Sequence, residues 1–347
     1  MLRGRHYLAL ACAVALLTAP TFAAATPAKQ GSTKAASQSH GPSRVRTKAL
    51  LSFQKDLVSV LAPQADALPL LAAALLARPL LDQSKYGSFA SLIERAAQAD
   101  DAGPAVSWVR LADCDAQADT CPNSSALEKL QTQAADNAAV WLLKLGEDTR
   151  NSKPDAARED LAKAAASSVY DDYTGISLKA LAGSVGVLPP PATTWDPANK
   201  AGAYGVQAVL VYGLANTQPQ PGLAITAQLC EKASDDASIK TDCLKLSKTL
   251  EWGSSPLARS LGLHLREVLA DDPTQQEAAK QARRNLIWQV HNFAQLSARV
   301  PNDKALAQHM LGLAHNGGTE MTLLLAALRD NHIPTEAPAD WQPKAAK

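Results

Sequence analysis

Excess charge is almost absent from this chain. Its 34 Lys and Arg stand against 33 Asp and Glu, a formal net charge of +1 over 347 residues. The two signs are interspersed, so the basic footprint that nucleic acid or an anionic membrane surface demands is missing. Strand-like alternation is nearly absent too. Beyond the N-terminal region no stretch offers about 18 uninterrupted apolar residues, and the run from Ala67 to Leu81 is broken by Pro69, Arg78 and Pro79, so no transmembrane segment is expected in the mature chain. There is no H-E-x-x-H, no C-x2-C pair, no glycine-rich phosphate loop and no dinucleotide fingerprint after a strand. Local motifs therefore assign no catalytic residue, no metal ligand and no cofactor.

Near-misses to chemistry are short. Ser52-Phe-Gln-Lys55 has the S-x-x-K spacing that places a nucleophile beside its base in serine β-lactamase-like enzymes, but the accompanying S-D-N and K-T-G elements are missing. Ser184, in Ala-Gly-Ser-Val-Gly, lacks the first glycine and the preceding strand of a nucleophile elbow, and reads as a helix end. Asp113, Asp115 and Asp119 resemble half a calcium loop without its central glycine and terminal glutamate. His309 and His315 are six residues apart and fall on different faces of a helix, and His264, in Leu-Gly-Leu-His-Leu, reads as packed or solvent-facing.

What is present begins at the N-terminus. Arg3 and Arg5 precede an apolar stretch from Leu8 to Leu17, and Ala23, Ala24 and Ala25 follow. A basic segment, a short apolar core and small residues together make a signal peptide over residues 1–25, with cleavage expected after Ala23 or Ala25 and a periplasmic or secreted product. Loss of Arg3 and Arg5 moves the net charge just below zero. Cys12 lies inside the apolar core of the signal and leaves with it. Four cysteines remain, Cys114, Cys121, Cys230 and Cys243. An even number in an exported chain points to disulfides, and two close pairs favour Cys114 with Cys121 and Cys230 with Cys243, although the sequence permits three connectivities.

Residues 26–47 are rich in Ala, Ser, Thr, Lys and Gly and have little to bury, so a disordered leader is expected there. From residue 48 apolar side chains recur at spacings of three and four, punctuated by Pro, Gly or Asp-Asn every 10 to 20 residues, which predicts an all-α protein. Ser125 with Glu128 and Thr274 with Glu277 have capping-box spacing, which also accounts for the formal glycosylation sequon Asn123-Ser-Ser125. Pro154 with Asp155 suits a helix start. The longest predicted helix runs from Pro273 to about Ala298. Three consecutive prolines, Pro189 to Pro191, and Asp196-Pro197 mark a linker over 186–200 between a helical-repeat region, 48–185, and a second helical region, 201–332. A flexible tail, 333–347, contains Trp341.

Trp108, Trp141 and Tyr173 recur at intervals of 33 and 32 residues, and Leu92, Leu127 and Leu161 keep a similar period between them. A unit of about 34 residues is one helix hairpin, whose apolar stripe is buried by stacking on its neighbours. The segment from about Ala90 to Gly183 resembles tetratricopeptide-type repeats and their Sel1-like relatives, most closely where Trp141 is followed by Ala157, Leu161 and Ala164. The Leu-Gly of that family falls one residue late, at Leu145-Gly146, and Tyr173 leads into the prolines instead of a second helix. The resemblance implies helical hairpins stacked as a degenerate solenoid that binds a protein or peptide partner. On that arrangement Trp108, Trp141 and Tyr173 sit at similar depths in neighbouring first helices, and Trp252 and Trp288 fill inter-helix space. The alternative is an all-α exported enzyme acting on cell-wall glycan or peptide, with acid and base residues drawn from separate helices.

Overall fold

The computed structural model describes residues 42–113, 122–232 and 236–343. Over these residues the protein is all-helical, with fifteen α-helices, no strand and one isolated bridge between Asn137 and Val169. The expected signal peptide, residues 26–41, Cys114, Cys121, Asp115 and Asp119 lie outside the described residues. The first helix, α1 (Pro42–Leu61), begins inside the stretch expected as a leader.

The centre is α2 (Ala67–Ala77), ALPLLAAALLA, which is apolar on almost every face and buries nine of its eleven residues. A helix without a polar face must be surrounded. It is enclosed by α1, α3 (Phe89–Gln98), α8 (Thr174–Ser184) and α9 (Gly202–Ala215). Phe53, Leu57, Leu92, Ile93, Leu178, Leu181 and Val211 pack around it. No helix among the described residues is long and apolar enough to cross a membrane: at 1.5 Å per residue α2 is only about 16 Å long.

A second core gathers α4 (Pro104–Arg110), α5 (Ser124–Gln133), α6 (Ala138–Arg150) and α7 (Pro154–Ala166) with α10 (Leu223–Glu231), α11 (Ala237–Glu251) and α12 (Pro256–Leu269). From α4 to α7 each helix contacts the next, and α7 then packs on α11. Ala157, Leu161 and Ala164 are buried there. The third core joins α9 and α12 to α13 (Pro273–Arg299), α14 (Lys304–Asn316) and α15 (Glu320–Asp330). Helices on either side of the proline-rich segment thus share cores.

The aromatic period does not translate into equal positions. Trp108 is fully buried in α4, whereas Trp141 in α6 is only partly buried, donates its indole N–H to the Ala135 carbonyl (2.7 Å) and lies under the Lys163 ammonium. Tyr173 precedes α8 in a left-handed conformation (φ 57°) and packs its ring 5.7 Å from that of Trp108. α8 turns away to contact α2, α9 and α14. Equal depth is therefore corrected: Trp108 and Tyr173 are buried against each other, whereas Trp141 lies toward Lys163 and solvent. Trp252, expected as filling, is 77 % exposed.

Local signals fare unevenly. α7 starts at Pro154, and α13 spans Pro273–Arg299 with Pro at its first position. The caps shift by two residues: Asn123, not Ser125, accepts from Ala126 N (3.0 Å), and Asp272, not Thr274, accepts from Thr274 N (2.8 Å). Either residue type satisfies an orphan helix donor, and the chain uses the earlier one. Cys230 and Cys243 stand at disulfide distance, with Cα atoms 5.7 Å apart, and tie α10 to α11. The tail is anchored through described residues: Arg284 donates to the carbonyls of Ala339 (3.1 Å) and Trp341 (2.7 Å), and Trp341 meets Trp288 edge-on at 5.3 Å.

Candidate functional site

One cleft, about 400 Å³, opens where α1, the proline-rich segment and α9 meet, and another, about 200 Å³, lies among α11, α12 and α13. The apolar lining of the first comes from Leu50, Trp195, Val206, Val209 and Pro301. The proline-rich segment shapes it: Pro191 accepts from Thr194 N (2.9 Å) in a short 3-10 turn at Ala192–Thr194, and Asp196 accepts from Asn199 N through its carbonyl (2.8 Å) and from Ala198 N through Oδ1 (3.0 Å). These turns present Trp195 to the cleft. Asp196 Oδ2 then pairs with Arg46 Nη1 at 3.1 Å, which holds α1 against the turn. With both partners partly exposed the pair adds little stability. It sets a polar rim around an apolar floor.

Two clusters of ionisable groups lie elsewhere. On α6 and α7, Asp148 and Asp160 are buried beside Lys144. Lys144 Nζ is 2.5 Å from Asp148 Oδ2 and 3.8 Å from Asp160 Oδ2. Burial pushes Asp160 up to about 6 against the opposing pull of Lys144. Burial also opposes ionisation of Asp148, but its hydrogen bond to Lys144 and the Lys144 and Lys153 charges outweigh this and hold its carboxyl below the usual range. One lysine between two facing helices thus serves two carboxylates unequally.

The second cluster is a junction of inter-helix connections. Asn137 Nδ2 donates to the Asp171 carbonyl (2.7 Å) and to Tyr173 Oη (3.1 Å), while its Oδ1 accepts from Asp171 N (2.9 Å). Ser254 N donates to the Tyr170 carbonyl (3.0 Å), Met321 N to the Ser254 carbonyl (2.9 Å), and Asp172 N to Ser254 Oγ (3.1 Å). The turns before α6, α8, α12 and α15 therefore meet at one point. Approach is close enough that a Cβ on Gly175 would stand 1.8 Å from the Gly318 carbonyl oxygen. Burial, with the Asp172 charge second, raises Glu320 to about 7, and burial raises the Tyr170 phenol well above its ordinary value. None of Asp172, Glu320 and Tyr170 lines either cleft.

The near-miss residues are scattered. Ser52 and Lys55 lie on the exposed face of α1, and Ser184 is buried at the end of α8. His264 Nε2 meets Glu231 Oε1 at 2.9 Å, and His309 Nε2 lies 3.4 Å from Asp330 Oδ2. Among the described residues no three metal-ligating side chains converge. Sequence reasoning passed over Trp195, which was visible only as an aromatic inside a proline-rich segment read as a linker. Comparison with known proteins finds no matching family model, curated protein or solved structure.

Proposed function

We propose that the protein is an exported helical scaffold of the cell envelope, periplasmic or secreted, that binds a segment of a protein or peptide partner. The observation that carries this reading is the cleft at Trp195, whose volume of about 400 Å³ suits one or two peptide side chains. Its apolar floor under the Arg46–Asp196 rim matches an aliphatic or aromatic side chain flanked by a polar backbone. The succession α4 to α7 is the part of the chain on which kinship with tetratricopeptide-type hairpins rests. The enzyme alternative calls for paired carboxylates in a cleft, whereas Asp172 and Glu320 lie apart from both clefts.

Selection of a random peptide library against the mature protein tests the reading. Enriched peptides should share one large apolar residue, and Trp195→Ala should weaken them at least tenfold, about 1.4 kcal/mol, at an unchanged melting temperature. Equal enrichment on Trp195→Ala would overturn the assignment. Export is checked separately by N-terminal sequencing of the protein recovered outside the cytoplasm, which should begin at Ala24 or Thr26.

A further inference from the structure

A smaller cleft, about 200 Å³, lies among α11, α12 and α13, remote in sequence from the Trp195 cleft. It is lined by Glu251, Trp252, Arg259, Leu263, Ala282, Asn285, Leu286 and Gln289. We propose that it binds a small organic acid, a carboxylate carried on a planar apolar body, with Arg259 taking the carboxylate and Trp252 covering the body.

The charges around the cleft favour an anion. Glu251 accepts both of its bonds from Arg266 Nη1, at 2.9 and 2.7 Å, so its charge is answered from outside. Arg259 is half-buried and donates Nε to the Gly253 carbonyl at 2.8 Å. Among the described residues its side chain has no other hydrogen bond or ion pair. That bond fixes the guanidinium plane and leaves the two terminal nitrogens, the pair that grips a carboxylate end-on. Burial lowers the Arg259 pKa, the mark of a cation that has lost water without gaining a counter-charge, and an arriving carboxylate relieves it.

The remaining walls select the body of the ligand. Leu263 and Leu286 are 4 % and 5 % exposed and form an apolar floor. The volume exceeds the ~150 Å³ that holds a benzene ring in an apolar cavity, which leaves room for a carboxylate. The docked tail presets two amide side chains: Asn285 Oδ1 accepts from Ala337 N (3.1 Å), and Gln289 Nε2 donates to the Thr335 carbonyl (2.9 Å). The Asn285 amide nitrogen is thereby left as a second donor. Trp252, the residue after α11, is 77 % exposed, and a planar ligand below it would cover apolar surface that the fold leaves in water.

Benzoate is the probe and benzamide its uncharged counterpart, titrated into the full chain while the indole N–H resonances of the six tryptophans are followed by NMR. Benzoate should move the Trp252 resonance saturably and leave Trp108 and Trp141 in place, whereas benzamide should bind at least tenfold more weakly. Arg259→Gln should abolish the shift. If that variant loses stability with its Gly253 bond, Ala282→Leu, which narrows the cleft from α13 and keeps the Arg259 side chain, should abolish it too. Equal titration by benzamide, or benzoate binding undiminished in a folded Arg259→Gln or Ala282→Leu protein, would overturn the proposal. Neither outcome bears on the Trp195 cleft.

Discussion

Replacing Glu320 by Gln should remove a pH dependence built into the junction of turns. Glu320 is the first residue of α15, behind a Thr319 cap whose hydroxyl accepts from Thr322 N at 3.1 Å, a position where the helix terminus favours negative charge. Burial and the neighbouring Asp172 nevertheless raise its pKa from an ordinary 4.5 to about 7. At about 1.4 kcal/mol per pH unit this is roughly 3 kcal/mol against the ionised form. Solvent reaches part of the side chain, and screening leaves an expected effect of about 1 to 2 kcal/mol. The folded state holds this proton more tightly than the unfolded chain does. The contribution is therefore full below about pH 4.5 and is lost as pH rises through about 7. Urea unfolding between pH 4.5 and 8 should find Glu320→Gln equal to the parent at the acid end and more stable by about 1 to 2 kcal/mol at the alkaline end. Asp160, raised to about 6, titrates in the same window but is common to both proteins and cancels in the difference. Parallel profiles for the two proteins would refute the argument.

Gly175→Ala should destabilise the protein by about 3 kcal/mol or more, read by thermal melting, because the new Cβ meets the Gly318 backbone instead of a movable side chain. Reducing the Cys230–Cys243 bridge should lower the unfolding free energy by about 3 kcal/mol, the closure entropy of so short a loop, and Cys243→Ser, which also buries a hydroxyl at a fully buried position, should lose at least as much without reductant. Trp108→Ala should cost about 3 to 5 kcal/mol, whereas Trp141→Ala, made at a partly exposed ring, should cost less than half as much; equal losses in denaturant unfolding would contradict the different depths of the two rings.

The all-α class was legible because periodicity of three to four residues persists through nearly every segment, and α7 and α13 start where Pro154 and Pro273 invite them. The cap shifts reflect neighbouring residues of almost equal capping strength, Asn123 beside Ser125 and Asp272 beside Thr274. The spacing of Trp108, Trp141 and Tyr173 was real as a number but did not encode depth, since depth depends on what lies opposite. Trp108 faces Tyr173, while Trp141 faces Lys163 and water. Neither cleft was legible. Trp195 and Arg46 are about 150 residues apart, and Trp252 differed from a core tryptophan in nothing that periodicity can register. The tail was read as loose for its prolines, yet Arg284 supplies a shared donor for its carbonyls.

The packing of α8 against both α2 and α14 constrains how the chain reaches its native state. Helices near the beginning of the polypeptide close their core only when helices from its end have arrived, so the loops to be closed are long and their entropy is spent before the contacts form. A nascent chain ending before α13 would leave uncovered the faces of α8 and α9 that α14 packs against, apolar surface exposed to chaperones and to its own copies. The first and third cores share α14 and α15, so truncation before Lys304 should weaken both together, whereas the second core, complete by Leu269, should keep its own melting transition.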